Sequence, residues 1–364
     1  MAAVTRGSLA MAAVALLATA SHALMQPTAQ GKARCARRVA LSTSLPLSNG
    51  AMKPFAQRRS LSLLQMMHSS SRPTTEYFDY LLGRNQMEET VDQPSIIIGD
   101  GRVGTMLREF GERRSFEDIL IRRGDPIPAD LPGPIYICTR NDDLESVIAQ
   151  VPEEKRQDLV FMQNGQLEPL RQKYGLYDTT QACLWFALTR KGGKPLDGIT
   201  SECPEGLTCV SGKWAGALSM RLRTGNLACE VVGERDLRRN MFEKLVWISA
   251  FMLVGSVHGG KTVGEVEKEH NEEVCDLIRE LATMIRFTMS VALKTGLEER
   301  LCAYSRRVEF FPTAMKEFEW RNGWFYRYTK LAQKNGFPDA TPMHTEYLRY
   351  GRENGLFTFD EIEV

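Results

Sequence analysis

No Asp or Glu precedes Glu76 in this chain of 364 residues. The same stretch holds nine basic residues (Arg6, Lys32, Arg34, Arg37, Arg38, Lys53, Arg58, Arg59 and Arg72) and many Ser, Ala and Thr. A segment of this composition is a leader rather than part of a fold, so residues 1–75 are read as a signal/transit leader, disordered or removed. Its apolar run LAMAAVALLATA is too short to span a bilayer as a stable helix, and the SHA that follows suits cleavage after Ala23. Zinc-binding spacing is also missing. The eight Cys, at 35, 138, 183, 203, 209, 229, 275 and 302, form no CxxC and read as buried or idle thiols. Cys203 and Cys209 bracket a loop, CPEGLTC, and are a candidate pair. Past the leader there are three His, 258, 270 and 344. They are too scattered in sequence to predict a metal site. No internal repeat is visible.

The leader's charge also masks the character of the rest. Removing its nine basic residues leaves 37 against 45 acidic ones, a net charge of −8 where the whole chain shows +1. An acidic body offers no basic face for nucleic acid. The roughly 289 residues from Glu76 suffice for one large or two ordinary domains.

From Pro94 strands and helices alternate. SIIIG is a buried strand and VGTMLREF has helical apolar spacing. FEDILIRRGD is a second strand, PIYICT a third and RQDLVFMQNG a fourth. Between the last two, NDDLESVIAQV starts a helix with Asn141 or Asp142 as N-cap. Short helices between strands predict a parallel sheet with right-handed crossovers. Past residue 180, ACLWFALTRKGGKPLDGI and GLTCVSGKWAGALSMRLRTG look like strand pairs with Gly turns. After Asp236 the chain is helical. The reading gives an apolar helix through LRRNMFEKLVWISAFMLVGSV, buried on most sides, and one long helix through EVEKEHNEEVCDLIRELATMIRFTMSVALKTG. Two more follow, in MKEFEWRNGWFYRYTKLAQKNG, ended by Gly336, and in MHTEYLRYGREN. The predicted fold class is α/β: an N-terminal Rossmann-type parallel sheet domain over 90–230, then a mainly α-helical C-terminal domain over 231–355.

Gly99-Asp100-Gly101-Arg102-Val103-Gly104 fits GxGxxG, following a first strand and opening a helix, which is the context the motif needs. Gly99 permits the tight turn, Gly101 lets the backbone approach a pyrophosphate, and Gly104 lets helix and strand pack. The helix N-terminus, with Arg102 and Val103 in its first turn, offers free N–H groups and partial positive charge to phosphates. Where an NAD site would place Asp or Glu after the second strand, this chain has Arg122-Arg123. Two guanidinium groups suit a 2′-phosphate, which points to NADP(H).

With these elements in place the chain resembles the ketopantoate reductase family, within the wider 6-phosphogluconate dehydrogenase-like group, from about Ser95 to about Tyr350. GDGRVG, FMQNG, MFEKLVWISA and KEFEWRNG carry the resemblance through their order and spacing. It implies Asn164 at the nicotinamide end, Lys244 as general acid and Glu317 as a substrate contact. A Lys in an otherwise apolar helix is open to a pKa lowered by desolvation. An ammonium near a carbonyl can stabilise the alkoxide left by hydride addition and deliver its proton. One and two turns beyond Lys244, where the family has substrate-binding Asn, stand Ile248 and Met252. Thr313 lies near the family's carboxylate-binding Ser. The pocket is therefore expected to be more apolar than one built for pantoate.

These readings lead to an NADPH-dependent oxidoreductase that reduces a 2-oxo acid or related small-molecule carbonyl. The alternatives are a true 2-dehydropantoate 2-reductase and a non-catalytic NADP-binding sensor or assembly protein. Expected partners exclude nucleic acid and, for the mature form, membrane, and the resemblance admits a homodimer. The leader resembles the bipartite leaders of plastid proteins in algae with complex plastids, although Leu24 stands where those usually carry Phe. Plastid is the first expectation for localisation, mitochondrion the second and secretion the third.

Overall fold

Short strands build the sheet in the computed structural model, which describes residues 90–364 except Ala129, Leu131 and Pro132. The leader expected over 1–75 lies outside the described residues. Strands β1 (Ile96–Ile98), β3 (Ile135–Ile137) and β4 (Leu159–Phe161) are buried at every position. Continuous apolar runs of this kind belong to parallel strands covered on both faces. With β2 (Ile119–Ile121), β5 (Thr180–Cys183), β8 (Cys209–Ser211) and β9 (Glu230–Val231), they form a seven-stranded sheet in the order β2-β1-β3-β4-β5-β8-β9. β1 to β5 are parallel, β8 runs antiparallel to β5, and β9 is parallel to β8. β6 (Phe186–Ala187) and β7 (Leu196–Asp197) make a separate antiparallel hairpin.

Alternation along the strands divides the core. Ile97, Tyr136, Val160, Ala182 and Val210 face helices α1 (Arg102–Glu112) and α4 (Ala215–Thr224). Ile96, Ile98, Ile135, Ile137, Leu159 and Phe161 face α2 (Leu144–Gln150) and α3 (Glu168–Lys173). Under the first layer Arg221 is fully buried and donates to both Asp92 and Asp118, with Nε to Asp92 Oδ2 at 2.9 Å and Nη1 to Asp118 Oδ2 at 2.7 Å.

The second half is arranged around α5 (Glu234–Val257), in which every residue from Asn240 to Gly255 is buried. A helix apolar on all sides must be enclosed. α5 is long and apolar enough to cross a membrane, but 72% of its most apolar window is buried inside the protein, so it serves as a core helix. It packs on β5 and β8 and on α6 (Val263–Glu269), α7 (Asn271–Met289) and α10 (Pro342–Glu353). α8 (Leu297–Arg307) and α9 (Asn322–Lys334) complete this half. All the described residues belong to one contact unit.

The structure corrects the sequence reading in four places. The second half of GLTCVSGKWAGALSMRLRTG is not a strand but α4, whose buried Leu218 and Leu222 have helical spacing. The single long helix is two, α6 and α7, because the backbone leaves the helical region at His270 (φ −129°). A capping box of Thr262 and Glu265 starts α6. α8 was not anticipated. Asn141 and Asp142 cap no helix; they lie in a short 3-10 turn, Asn141–Asp143, that precedes α2. Cys203 and Cys209 are both free and buried, which agrees with reading them as idle thiols, and no disulfide joins the described cysteines.

Candidate active site

Three of the loops that leave the carboxyl ends of parallel strands meet at one edge of the sheet. In open α/β sheets ligands bind there, at the point where strand order reverses. Here the reversal falls between β1 and β3. The turn after β1 is tight: Gly99 has φ +107°, and a Cβ on Gly104 would sit 1.9 Å from the Gly99 carbonyl oxygen. Glycine is thus required at both positions for helix and strand to approach. The first intrahelical bond of α1 runs from Thr105 N–H to Gly101 C=O at 3.0 Å. The earlier N–H groups, of Arg102, Val103 and Gly104, precede it and are available to an anion. Beside this turn Asp100 pairs with Arg122 (3.2 Å) and with Lys191 of the β6–β7 hairpin (2.6 Å). The two cations lower the Asp100 carboxyl to about pKa 2. Arg123 pairs with Asp143 instead (3.2 Å) and is exposed. Arg122 is therefore part of the glycine turn's surroundings, whereas Arg123 points to the start of α2.

A cavity of about 160 Å³ opens between the sheet edge and the helices. Arg102, Asn164, Lys244, Ile248, Met252 and Arg321 all line it, with Trp247, Tyr304, Phe311 and Lys316. Helical spacing on α5 aligns Lys244, Ile248 and Met252 along one wall. Lys244 is buried at 9% exposure. Its ammonium lies 5.1 Å from the Trp185 ring centre, and Tyr304 packs edge-on against both Trp185 and Trp247. Among the described residues no carboxylate pairs with Lys244. Burial lowers its pKa to about 8, against an opposing effect of Cys183 and with a further lowering from Arg321.

Glu317 and Asn164 are joined by a residue that sequence reasoning assigned elsewhere. Asn141, 2% exposed, donates its backbone N–H to Glu317 Oε1 (3.1 Å) and its side-chain amide to the Asn164 carbonyl (2.7 Å). Its side chain braces the site rather than capping a helix. Glu317 itself is not inside a helix: it has φ +48° and precedes the 3-10 turn Phe318–Trp320. Its second oxygen pairs with Arg321, which directs the Arg321 guanidinium to the cavity. Thr313 does not line the cavity, although its neighbours Pro312 and Ala314 do. Its hydroxyl donates to the Lys261 carbonyl and packs against Gly255, so it is not positioned as a carboxylate ligand. Trp185, Asn141, Asp100 and Lys191 are the neighbours that the sequence did not reveal as such.

The lining includes four cationic side chains, Arg102, Lys244, Lys316 and Arg321, and no carboxylate. In a body of net charge −8 this is a local anion trap.

The fold defines a class: a Rossmann-type, mostly parallel sheet followed by a helical C-terminal half. Solved structures share that architecture. D-mandelate dehydrogenase in complex with NADH superposes with a TM-score of 0.52 at 15% identity, over 72% of this chain and 100% of that one. The same enzyme with NADH and anilino(oxo)acetate gives 0.50 at 13%, over 72% and 99%. A Ralstonia solanacearum MolK2 protein assigned as a ketopantoate reductase gives 0.50 at 14%, over 73% and 99%. The sequence matches no known protein-family profile and no curated protein. At these identities the likeness establishes the fold.

Proposed function

We propose that the protein is an NADP(H)-dependent oxidoreductase that reduces the carbonyl of a 2-oxo acid carrying an apolar side chain. The observation that carries this reading is Lys244: a buried, unpaired lysine with a pKa near 8, in a cavity it shares with Asn164 and Arg321. The glycine cradle, the free N–H groups of α1 and Arg122 suit the diphosphate and 2′-phosphate of the cofactor. A bound nicotinamide supplies hydride. The chain's own residues do the rest. Lys244 Nζ stabilises the developing alkoxide and gives it a proton, leaving a neutral amine and a secondary alcohol. Arg321, fixed by Glu317, and Lys316 attract the carboxylate. Ile248, Met252, Trp247 and Phe311 exclude water and accept the apolar substituent. D-mandelate dehydrogenase, which shares the fold, is described with an aryl oxo acid derivative, and this apolar wall suits a substrate of that kind better than a polyol. A true 2-dehydropantoate 2-reductase fits less well, because Ile248 and Met252 leave its polar groups unpaired. Dimer formation and a plastid location, resting on the family resemblance and the leader respectively, belong to the same proposal.

The test is titration of the purified protein with NADPH and NADH, read by quenching of intrinsic Trp fluorescence, then turnover of a panel of 2-oxo acids. Selective NADPH binding and turnover lost in Lys244→Ala support the proposal. Binding of neither nucleotide reduces the Gly99–Gly104 turn to a structural one and ends it. NADPH binding with no turnover on any carbonyl, unaffected by Lys244→Ala, gives the sensor reading instead.

A further inference from the structure

Two of the three histidines that look scattered in sequence are brought face to face by the fold. His258 follows the C-terminus of α5, and His270 stands at the α6–α7 junction. Their rings stack with centroids 3.7 Å apart and an interplanar angle of 18°. Both point ring nitrogens at Glu273, in the first turn of α7. His258 Nε2 lies 2.9 and 3.0 Å from the two carboxylate oxygens, and His270 Nδ1 lies 3.2 Å from Oε2. One ligand atom from each of the three falls within 4.8 Å of the others. Two donors bound at about 2.0–2.1 Å to one ion, at tetrahedral to octahedral angles, are roughly 2.9–3.4 Å apart. The observed His-to-carboxylate separations lie in that range.

We propose that His258, His270 and Glu273 form a binding site for a divalent transition-metal ion, of the two-imidazole, one-carboxylate type that Zn²⁺ takes, with its remaining coordination open to water. Three further features suit a cation there. The C-terminal end of the 24-residue α5 carries partial negative charge toward His258. Tyr347 of α10 donates to Glu273 Oε1 at 2.6 Å, which fixes the carboxylate as an outer-sphere partner would. The side chains of His258, Glu273 and His270 are 33%, 24% and 19% exposed, so an ion can enter without unfolding. The competing arrangement is a hydrogen-bonded cluster in which both rings donate to one carboxylate. Nothing on the far side of His270 enforces that tautomer, since its Nε2 is buried with no hydrogen-bond partner. None of the three residues lines the cavity, so the site stands independently of the proposed reductase activity. Its effect would be mechanical: the ion would tie the end of α5, the α6–α7 junction and, through Tyr347, α10.

The experiment is titration of the full chain, first treated with chelator, with Co²⁺ and then Zn²⁺, followed by visible absorption and thermal melting. The proposal predicts one saturable Co²⁺ equivalent with ligand-field bands and no thiolate-to-cobalt charge transfer, displaced by Zn²⁺, and a melting temperature that rises with Zn²⁺ concentration. His258→Ala and Glu273→Gln should weaken binding at least a hundredfold, and Tyr347→Phe, which leaves every ligand in place, about tenfold. His258→Ala, at a partly exposed helix end, carries the test should Glu273→Gln fail to fold. No saturable uptake overturns the proposal. So does uptake indifferent to His258→Ala and His270→Ala, which means an adventitious ion only, or a charge-transfer band, which moves the metal to cysteine.

Discussion

Lys244→Met separates the lysine's cost to the fold from its use to the reaction. Methionine fills a similar volume without the charge. Burial lowers the Lys244 pKa from 10.5 to about 8. That lowering corresponds to roughly 3 kcal/mol, and it is unfavourable to the native state wherever the amine is protonated there. The direction follows from proton counts. Between about pH 8 and 10.5 the unfolded chain holds a proton at this lysine and the folded chain does not, so wild-type stability rises through that window. The favourable state is complete above 10.5 and is lost as pH falls through about 8. At pH 7 the full penalty is present. Lys244→Met should therefore be more stable than wild type at pH 7 by up to about 3 kcal/mol, less what the contact with the Trp185 ring returns. For a fold of this size that is a rise of roughly 5 °C in melting temperature. The assay is paired urea or thermal denaturation of both proteins from pH 6.5 to 10.5. The gap should narrow steadily above pH 8. A variant no more stable than wild type at pH 7, or a gap that ignores pH, refutes the buried-ammonium argument. The same variant should lose about 10²–10⁴ in carbonyl reduction if the lysine is the acid.

Other consequences can be checked separately. Reduction should be constant at neutral pH and fall about tenfold per unit above pH 8 as Lys244 loses its proton, and a pH–rate profile that stays flat to pH 10 contradicts this role. Asp100→Asn removes the carboxylate that holds Arg122 and Lys191, so the ratio of NADPH to NADH affinity should rise several-fold by fluorescence titration; an unchanged ratio removes Arg122 from 2′-phosphate reading. Arg221→Met leaves buried Asp118 without a cation and Asp92 with only Arg114 (3.2 Å), and should cost about 3–5 kcal/mol in urea denaturation.

The sheet was legible because its strands are dictated locally. III, IYI and LVF are apolar at every position, and runs this short, bounded by turn residues, suit strands buried on both faces. The glycine turn was legible for the same reason, since a Cβ at Gly104 has no room against Gly99 whatever surrounds it. α5 announced itself by lacking any polar face. Where local signals compete, the reading fails. Ala215–Thr224 mixes small residues with apolar ones in a way that alternation and helical spacing both accommodate, and its packing on β5, β8 and β9 beside α1 decides for helix. The break at His270 depends on Thr262 and Glu265 starting a separate helix and on contacts of α6 with α5 and α8, none of which shows in the periodicity.

For the site, spacing along α5 puts Lys244, Ile248 and Met252 on one wall of the cavity, because a helix fixes its own faces. It could not show what stands opposite. Asn141 reaches Glu317 across 176 positions of sequence, and Lys191 reaches Asp100 across 91. Each bond exists only because the tertiary fold places two loops side by side. Thr313 illustrates the reverse. One position in the sequence separates it from cavity-lining residues on either side, yet its hydroxyl bonds to Lys261 and its methyl fills the space beside Gly255. In an irregular segment successive side chains point in unrelated directions, so proximity in sequence to a functional position carries little weight there. On α5 it carries a great deal. Lys244 is thus placed by the geometry of its own helix, whereas Asn141 and Asp100 are placed by contacts between loops.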